Sequence, residues 1–125
     1  MEVVEGNKLI AEFMGMKFIP HGKWYHLFKP NEDCWQPKGF SIWFANKHLK
    51  YSSSWDWLMP VVEKIERLGY KTKISFDDFG TWTQIHYGLS VADTSETKAL
   101  NQHGTKIENT YKTVVEFIKW HNEYR

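Results

Sequence analysis

Lys71, Lys73, Trp82, Gln84 and His86 carry the most chemistry in this chain. Tyr70 to Phe76 alternates, with Tyr70, Thr72, Ile74 and Phe76 to one side and Lys71, Lys73 and Ser75 to the other. After the turn residues Asp77-Asp78-Phe79-Gly80, the return segment sends Thr83, Ile85, Tyr87 and Leu89 one way and Trp82, Gln84 and His86 the other. One hairpin face therefore collects two ammonium groups, an indole, an amide and an imidazole. Cations supply charge for phosphate and a ring supplies a platform for a base, which is how single-stranded nucleic acid or a nucleotide is held. A solvated sheet face with Trp82 tucked under a loop is the plainer reading of the same residues.

Asp78 with His86 is an acid–base pairing an enzyme would use, with Cys34 a further reactive group, if the three converged. Adjacent carboxylates at Asp77-Asp78 are also what a turn uses to bond its own backbone. Cys34, beside Trp35, has no paired thiol and no assignable base, so a loop thiol is the simpler reading. His21 and His26 give the nearest approach to a ligand spacing, across Gly22, and fall short of the three or four converging ligands zinc takes. Ser52-Ser53-Ser54 precedes a helix without the Gly-x-Ser-x-Gly of a nucleophile elbow. No glycine-rich phosphate loop occurs, and no cofactor is expected.

The second group of interest is aromatic. Seven tryptophans lie within 125 residues, and Trp24, Trp35 and Trp43 fall in one irregular stretch between Phe18 and Tyr51. Tryptophan is over-used where a surface grips a partner, so the three are candidate partner-binding residues, with core packing the alternative. Trp35 is the first choice, because Pro30 and Pro37 bracket a loop, Lys29 to Lys38, that would hold it away from a sheet.

Helices and strands must position these groups. Asn7 can cap a short helix with Leu9, Ile10, Phe13 and Met14 at helical spacing, ended by Gly15. Trp24 to Phe28 and Phe40 to Phe44 are short, aromatic and bounded, and read as strands. A second helix follows Ser53 or Ser54. Trp55, Leu58, Val62 and Ile65 trace its apolar face, flanked by Met59 and Leu68, and Gly69 stops it; Pro60 should kink its start. Ala92 to Gly104 is polar and without period, a connection with at most one helical turn at Glu96 to Leu100. The final helix runs from about Lys106 to His121 on Ile107, Tyr111, Val114, Val115 and Ile118.

Together these predict a single α+β domain over 1–125: an antiparallel sheet of three or four strands, about three helices, and the second and final helices on one sheet face. Charged residues make up 25% and hydrophobic ones 42%, and the net charge of +1 argues against a dedicated binder of duplex nucleic acid. One cysteine excludes an internal disulfide framework and fits a reducing compartment. The acidic N-terminus lacks an apolar run, and no stretch approaches the ~20 apolar residues of a membrane span, so a cytoplasmic protein is expected.

Three segments carry a resemblance: Asn7-Lys-Leu-Ile-Ala-Glu-Phe-Met-Gly15, Tyr51-Ser-Ser-Ser-Trp-Asp-Trp-Leu-Met-Pro-Val-Val-Glu-Lys-Ile-Glu66, and Tyr111-Lys-Thr-Val-Val-Glu-Phe-Ile-Lys-Trp120. Over about a third of its length the chain resembles small phage- and prophage-encoded proteins of the phage ABA sandwich domain family. The resemblance implies an α/β sandwich and a phage setting inside a host cell. That family brings no established activity and no catalytic residues, and the segment from Phe18 to Tyr51 has no counterpart in its pattern. The expected function is that of a non-enzymatic accessory protein that binds a host or phage protein. A nucleotide or single-strand binder using the Lys71–His86 face, and a small enzyme using Asp78 and His86, are the alternatives.

Overall fold

A computed structural model describes residues 3–25, 27–77, 80–86, 96–101 and 105–124. The chain is α+β, and its contacts divide it into two compact units, Met1–Lys50 and Tyr51–Arg125.

In the first unit, helix α1 (Val3–Phe13) is followed by strands β1 (Lys17–Ile19), β2 (Cys34–Gln36) and β3 (Phe44–Ala45) and a 3-10 turn at Asn46–His48. The strands form one antiparallel sheet with β2 central, pairing Phe18 with Trp35 and Trp35 with Phe44. Helix α1 begins before Asn7, which therefore does not cap it. Instead Asn7 is buried and its Nδ2 donates to the carbonyl of Leu49 at 3.0 Å. The tertiary bond replaces the local one, and the buried helix face is Gly6, Asn7, Ile10 and Ala11. Gly15, at φ +80, ends the helix: its N–H donates to Glu12 O and that of Met16 to Ala11 O, the paired bonds of a Schellman cap.

The two strands expected at Trp24–Phe28 and Phe40–Phe44 are corrected. Tyr25 and Phe28 close a tight turn, each donating its N–H to the other's carbonyl at 2.9 Å, while Phe40 to Trp43 is irregular and only Phe44–Ala45 pairs. The central strand instead comes from the segment expected to be a loop. Cys34 and Trp35 are both buried, and that burial outweighs the flanking prolines.

In the second unit, α2 (Trp55–Arg67) leads to β4 (Lys71–Asp77), β5 (Gly80–His86) and β6 (Glu96–Asn101), then α3 (Lys106–Tyr124). The expected hairpin is present, with Lys71 paired to His86 and Asp77 to Gly80. Glu96–Asn101, read from sequence as part of a connection, is a third strand that pairs along the free edge of β5. Helix α3 packs on the three strands, and α2 packs on β4 and α3, so both helices share one sheet face. Ile85, fully buried, belongs to that face by register with Thr72.

Ser54 occupies the cap position of α2 without a side-chain bond to the helix. Leu58, Val61, Val62 and Ile65 form the buried face, whereas Trp55, Met59 and Leu68 are exposed. Pro60 lies inside the helix. The end repeats the design of α1: Gly69, at φ +101, donates to Glu66 O and Tyr70 to Ile65 O.

Helix α3 is capped by Thr105, whose Oγ1 accepts from the Glu108 N–H at 3.2 Å. It is buried well beyond one stripe, with Tyr111, Val114, Val115, Phe117 and Ile118 inside. Thr110 and Thr113 are buried too, and each hydroxyl donates to the carbonyl four residues back, at 2.8 and 2.9 Å. Tyr70 packs edge-on against Phe117 with ring centroids 4.9 Å apart, and Phe117 stacks on His121.

Candidate functional site

The three candidate tryptophans of the first unit have separate fates. Trp35 is 1% exposed and its Nε1 donates to Asn46 Oδ1, so the expectation of a solvent-facing Trp35 is overturned. The pairing of β2 between β1 and β3 draws it into the core, with the ring of Phe18 against it at 4.8 Å. Trp43 is half-buried in a ring cluster, 5.0 Å from Tyr25 and 5.3 Å from Phe28. Trp24 is 65% exposed.

Trp24 has company. Leu27 is 98% exposed, Phe40 64% and Ile42 53%, and Phe28 is also exposed. Ring contacts join the residues next to three of them in the chain. Trp24 adjoins Tyr25, Leu27 adjoins Phe28 and Ile42 adjoins Trp43, while Tyr25, Phe28 and Trp43 share the ring cluster. The Tyr25 hydroxyl reaches Gln36 Oε1 at 3.5 Å, and Gln36 Nε2 in turn donates to the carbonyl of Phe40 at 2.9 Å. Hydrogen bonds thus tie the ring cluster, through Gln36, to the backbone of Phe40. Five large apolar side chains exposed within the stretch 24–42 make this part of the first unit the candidate binding surface.

Beside Phe40 lies an open cleft of about 480 Å³ that includes Lys17, Gln36, Lys38 and Ser41 in its lining. Lys17 Nζ donates to the Tyr25 hydroxyl at 2.9 Å and lies 4.1 Å from the Tyr25 ring centroid. Lys29 Nζ lies 5.6 Å from the Trp24 ring centroid, a cation–π distance. Sequence reasoning missed Leu27, Phe40 and Ile42. The short, aromatic, bounded segments that hold them were read as strands, which drew attention to the tryptophans alone.

Cys34 is no loop thiol. It is buried in β2 and its Sγ donates to the carbonyl of Glu32 at 3.3 Å. Desolvation, reinforced by the charges of Glu32 and Asp33, pushes its pKa up, away from the thiolate a nucleophile requires. His21 donates its backbone N–H to Asp33 Oδ1 at 2.9 Å. His26 and Asp78 lie outside the described residues. Among the described residues no group of three or more His, Cys, Asp or Glu is placed to hold a metal ion, and no helix is long and apolar enough to cross a membrane.

In the second unit, backbone register assembles the predicted sheet face row by row. Lys71, His86 and Glu96 form one row, Lys73, Gln84 and Lys98 the next, and Ser75, Trp82 and Leu100 the third. Lys71 and Lys73 are exposed. The five predicted residues thus share a face, and β6 adds Lys98, which the reading of that segment as a connection had hidden. The same register sets Asp77 and His86 at opposite ends of the hairpin, roughly 20 Å apart for six residues of extended chain.

No protein-family model, curated protein or solved structure matches the chain. The site is therefore read from its own geometry. That geometry offers one apolar surface rimmed by lysines in the first unit, and one row-ordered polar face in the second.

Proposed function

We propose that this chain is a non-enzymatic accessory protein that works by binding another protein through the exposed aromatic surface of its first unit. The observation that carries the reading is the joint exposure of Trp24, Leu27, Phe40 and Ile42 within the stretch 24–42. Trp24 is of the type that most often dominates the binding energy of an interface, and exposed apolar neighbours of it exclude water around such an anchor. A phage or prophage origin, with a host or phage protein as partner in the host cytoplasm, belongs to the same proposal and rests on the resemblance of its three helical segments. The test is affinity capture from host lysate with the wild type and with the double variant Trp24→Ala, Phe40→Ala. A partner retained by the first and lost by the second, at unchanged melting temperature, supports the reading. Equal capture by both sinks it.

A second reading is favoured by the register of the β4–β5–β6 sheet, in which Lys73 and Lys98 flank Gln84 one row from Trp82. We propose it as the alternative: a nucleotide or single-stranded nucleic acid held by the Lys71, Lys73, Trp82, Gln84 and His86 face. Salt-dependent quenching of tryptophan fluorescence by an oligonucleotide, lost in Lys71→Ala, Lys73→Ala, would support it. Quenching that those changes leave intact would remove it.

A further inference from the structure

We infer that the partner presents an acidic as well as apolar segment to the Trp24–Phe40 surface; the inference rests on the protein-binding reading above and names the chemistry of that partner. Lysines interleave with the exposed apolar residues: Lys17, Lys23, Lys29 and Lys38 are all exposed. The carboxylates of the same stretch are already engaged. Glu32 Oε2 lies 3.5 Å from Lys47 Nζ, and Asp33 Oδ1 accepts from the His21 N–H and lies 3.9 Å from His21 Nδ1. Lys23 and Lys38 have no acidic partner among the described residues, and Lys17 and Lys29 are placed against rings rather than carboxylates.

The cleft beside Phe40 repeats the pattern. Lys17 and Lys38 line it together with Gln36 and Ser41, and no carboxylate does. A partner that buries this surface removes water from those ammonium groups. Without negative charge opposite them, their desolvation opposes binding, so a neutral or basic apolar segment is disfavoured. Carboxylates placed between apolar side chains offset that cost and speed encounter. The cleft, with two cations, an amide and a hydroxyl beside an exposed ring, suits a carboxylate next to an apolar side chain.

The test uses the whole chain and three labelled polymers: polyglutamate, a random glutamate–tyrosine copolymer and a random lysine–tyrosine copolymer. Fluorescence anisotropy should show the glutamate–tyrosine copolymer bound at least about tenfold more tightly than either other polymer, with affinity falling as salt rises. Changing Lys23, Lys29 and Lys38 together to Glu should weaken it about tenfold or more, while Lys71→Glu with Lys73→Glu leaves it within about twofold. Equal binding of both tyrosine copolymers, equal binding of polyglutamate, or loss confined to the Lys71 and Lys73 changes overturns the inference. So does preference for a short oligothymidylate or for phosphatidylserine vesicles over the acidic copolymer.

The neutral dye Nile red separates the two levels. Fluorescence enhancement that depends on Trp24 and Phe40 while the acidic copolymer fails would leave the protein-binding reading standing and remove only the acidic partner. Absence of that enhancement would remove both.

Discussion

The indole Nε1 of Trp35 donates to Asn46 Oδ1 across 2.6 Å, joining the central strand β2 to the turn that follows β3. The bond satisfies the polar atom of a side chain that is otherwise sealed in the core. Trp35→Ala should therefore cost about 3–5 kcal/mol, the range for emptying a buried aromatic site. Asn46→Ala, which strands the buried N–H, should cost about 1–3 kcal/mol. Urea denaturation measures both. A Trp35→Ala midpoint close to that of wild type would place the residue outside the core.

The face of α2 predicts a graded series. Val62 and Ile65 are buried, and replacing either by alanine should cost about 2–4 kcal/mol or, for the smaller Val62, the low end of it. Leu68 is exposed at the end of the same helix, so Leu68→Ala should stay within about 0.5 kcal/mol. Similar losses at Ile65 and Leu68 would contradict this orientation of the helix.

Thr105 supplies the first-turn cap of α3 through its hydroxyl. Thr105→Ala should cost about 1 kcal/mol, and Thr105→Ser should restore most of that loss. A neutral alanine variant would show that the hydroxyl contributes nothing to the helix.

Tyr51 and Tyr111 are buried, and desolvation pushes the pKa of each from 10.0 up to about 12. Their folded pKa lies above the unfolded one, so the stabilisation is complete below about pH 10 and is lost as pH rises from 10 to 12. Two units correspond to roughly 2–3 kcal/mol per group. Unfolding free energy measured across that window should fall, and the fall should be shallower in Tyr111→Phe. A variant with the same alkaline slope as wild type would show that Tyr111 does not contribute to it.

What could be read from sequence was what repeats. Val62 and Ile65 in α2 and Val114, Val115 and Ile118 in α3 declare a buried face through period alone, and the alternation from Tyr70 to Phe76 declares a strand. The first unit gave less away, because its strands are two or three residues long and exist only through pairing. Trp35 between Pro30 and Pro37 looked like a loop residue. Nothing within five residues of it reveals that Phe18 and Phe44 will lie on either side. Glu96–Asn101 was hidden for a related reason: its residues are polar, and the edge of β5 makes it a strand. The candidate surface was legible as an excess of tryptophan. Which tryptophans face water depended on the same long-range pairing.

The bond from Asn7 to the carbonyl of Leu49 spans 42 residues of chain. On a ribosome, helix α1 emerges before the rest of its unit and is therefore among the last elements of that unit to be secured. At about 5–20 residues per second, Asn7 waits roughly 2–8 s before its acceptor has been synthesised. Throughout that interval the inner face of α1, with Ile10 and Ala11, has no finished unit to dock into. The nascent chain must carry that face, together with the growing aromatic stretch, until the fiftieth residue closes the circle.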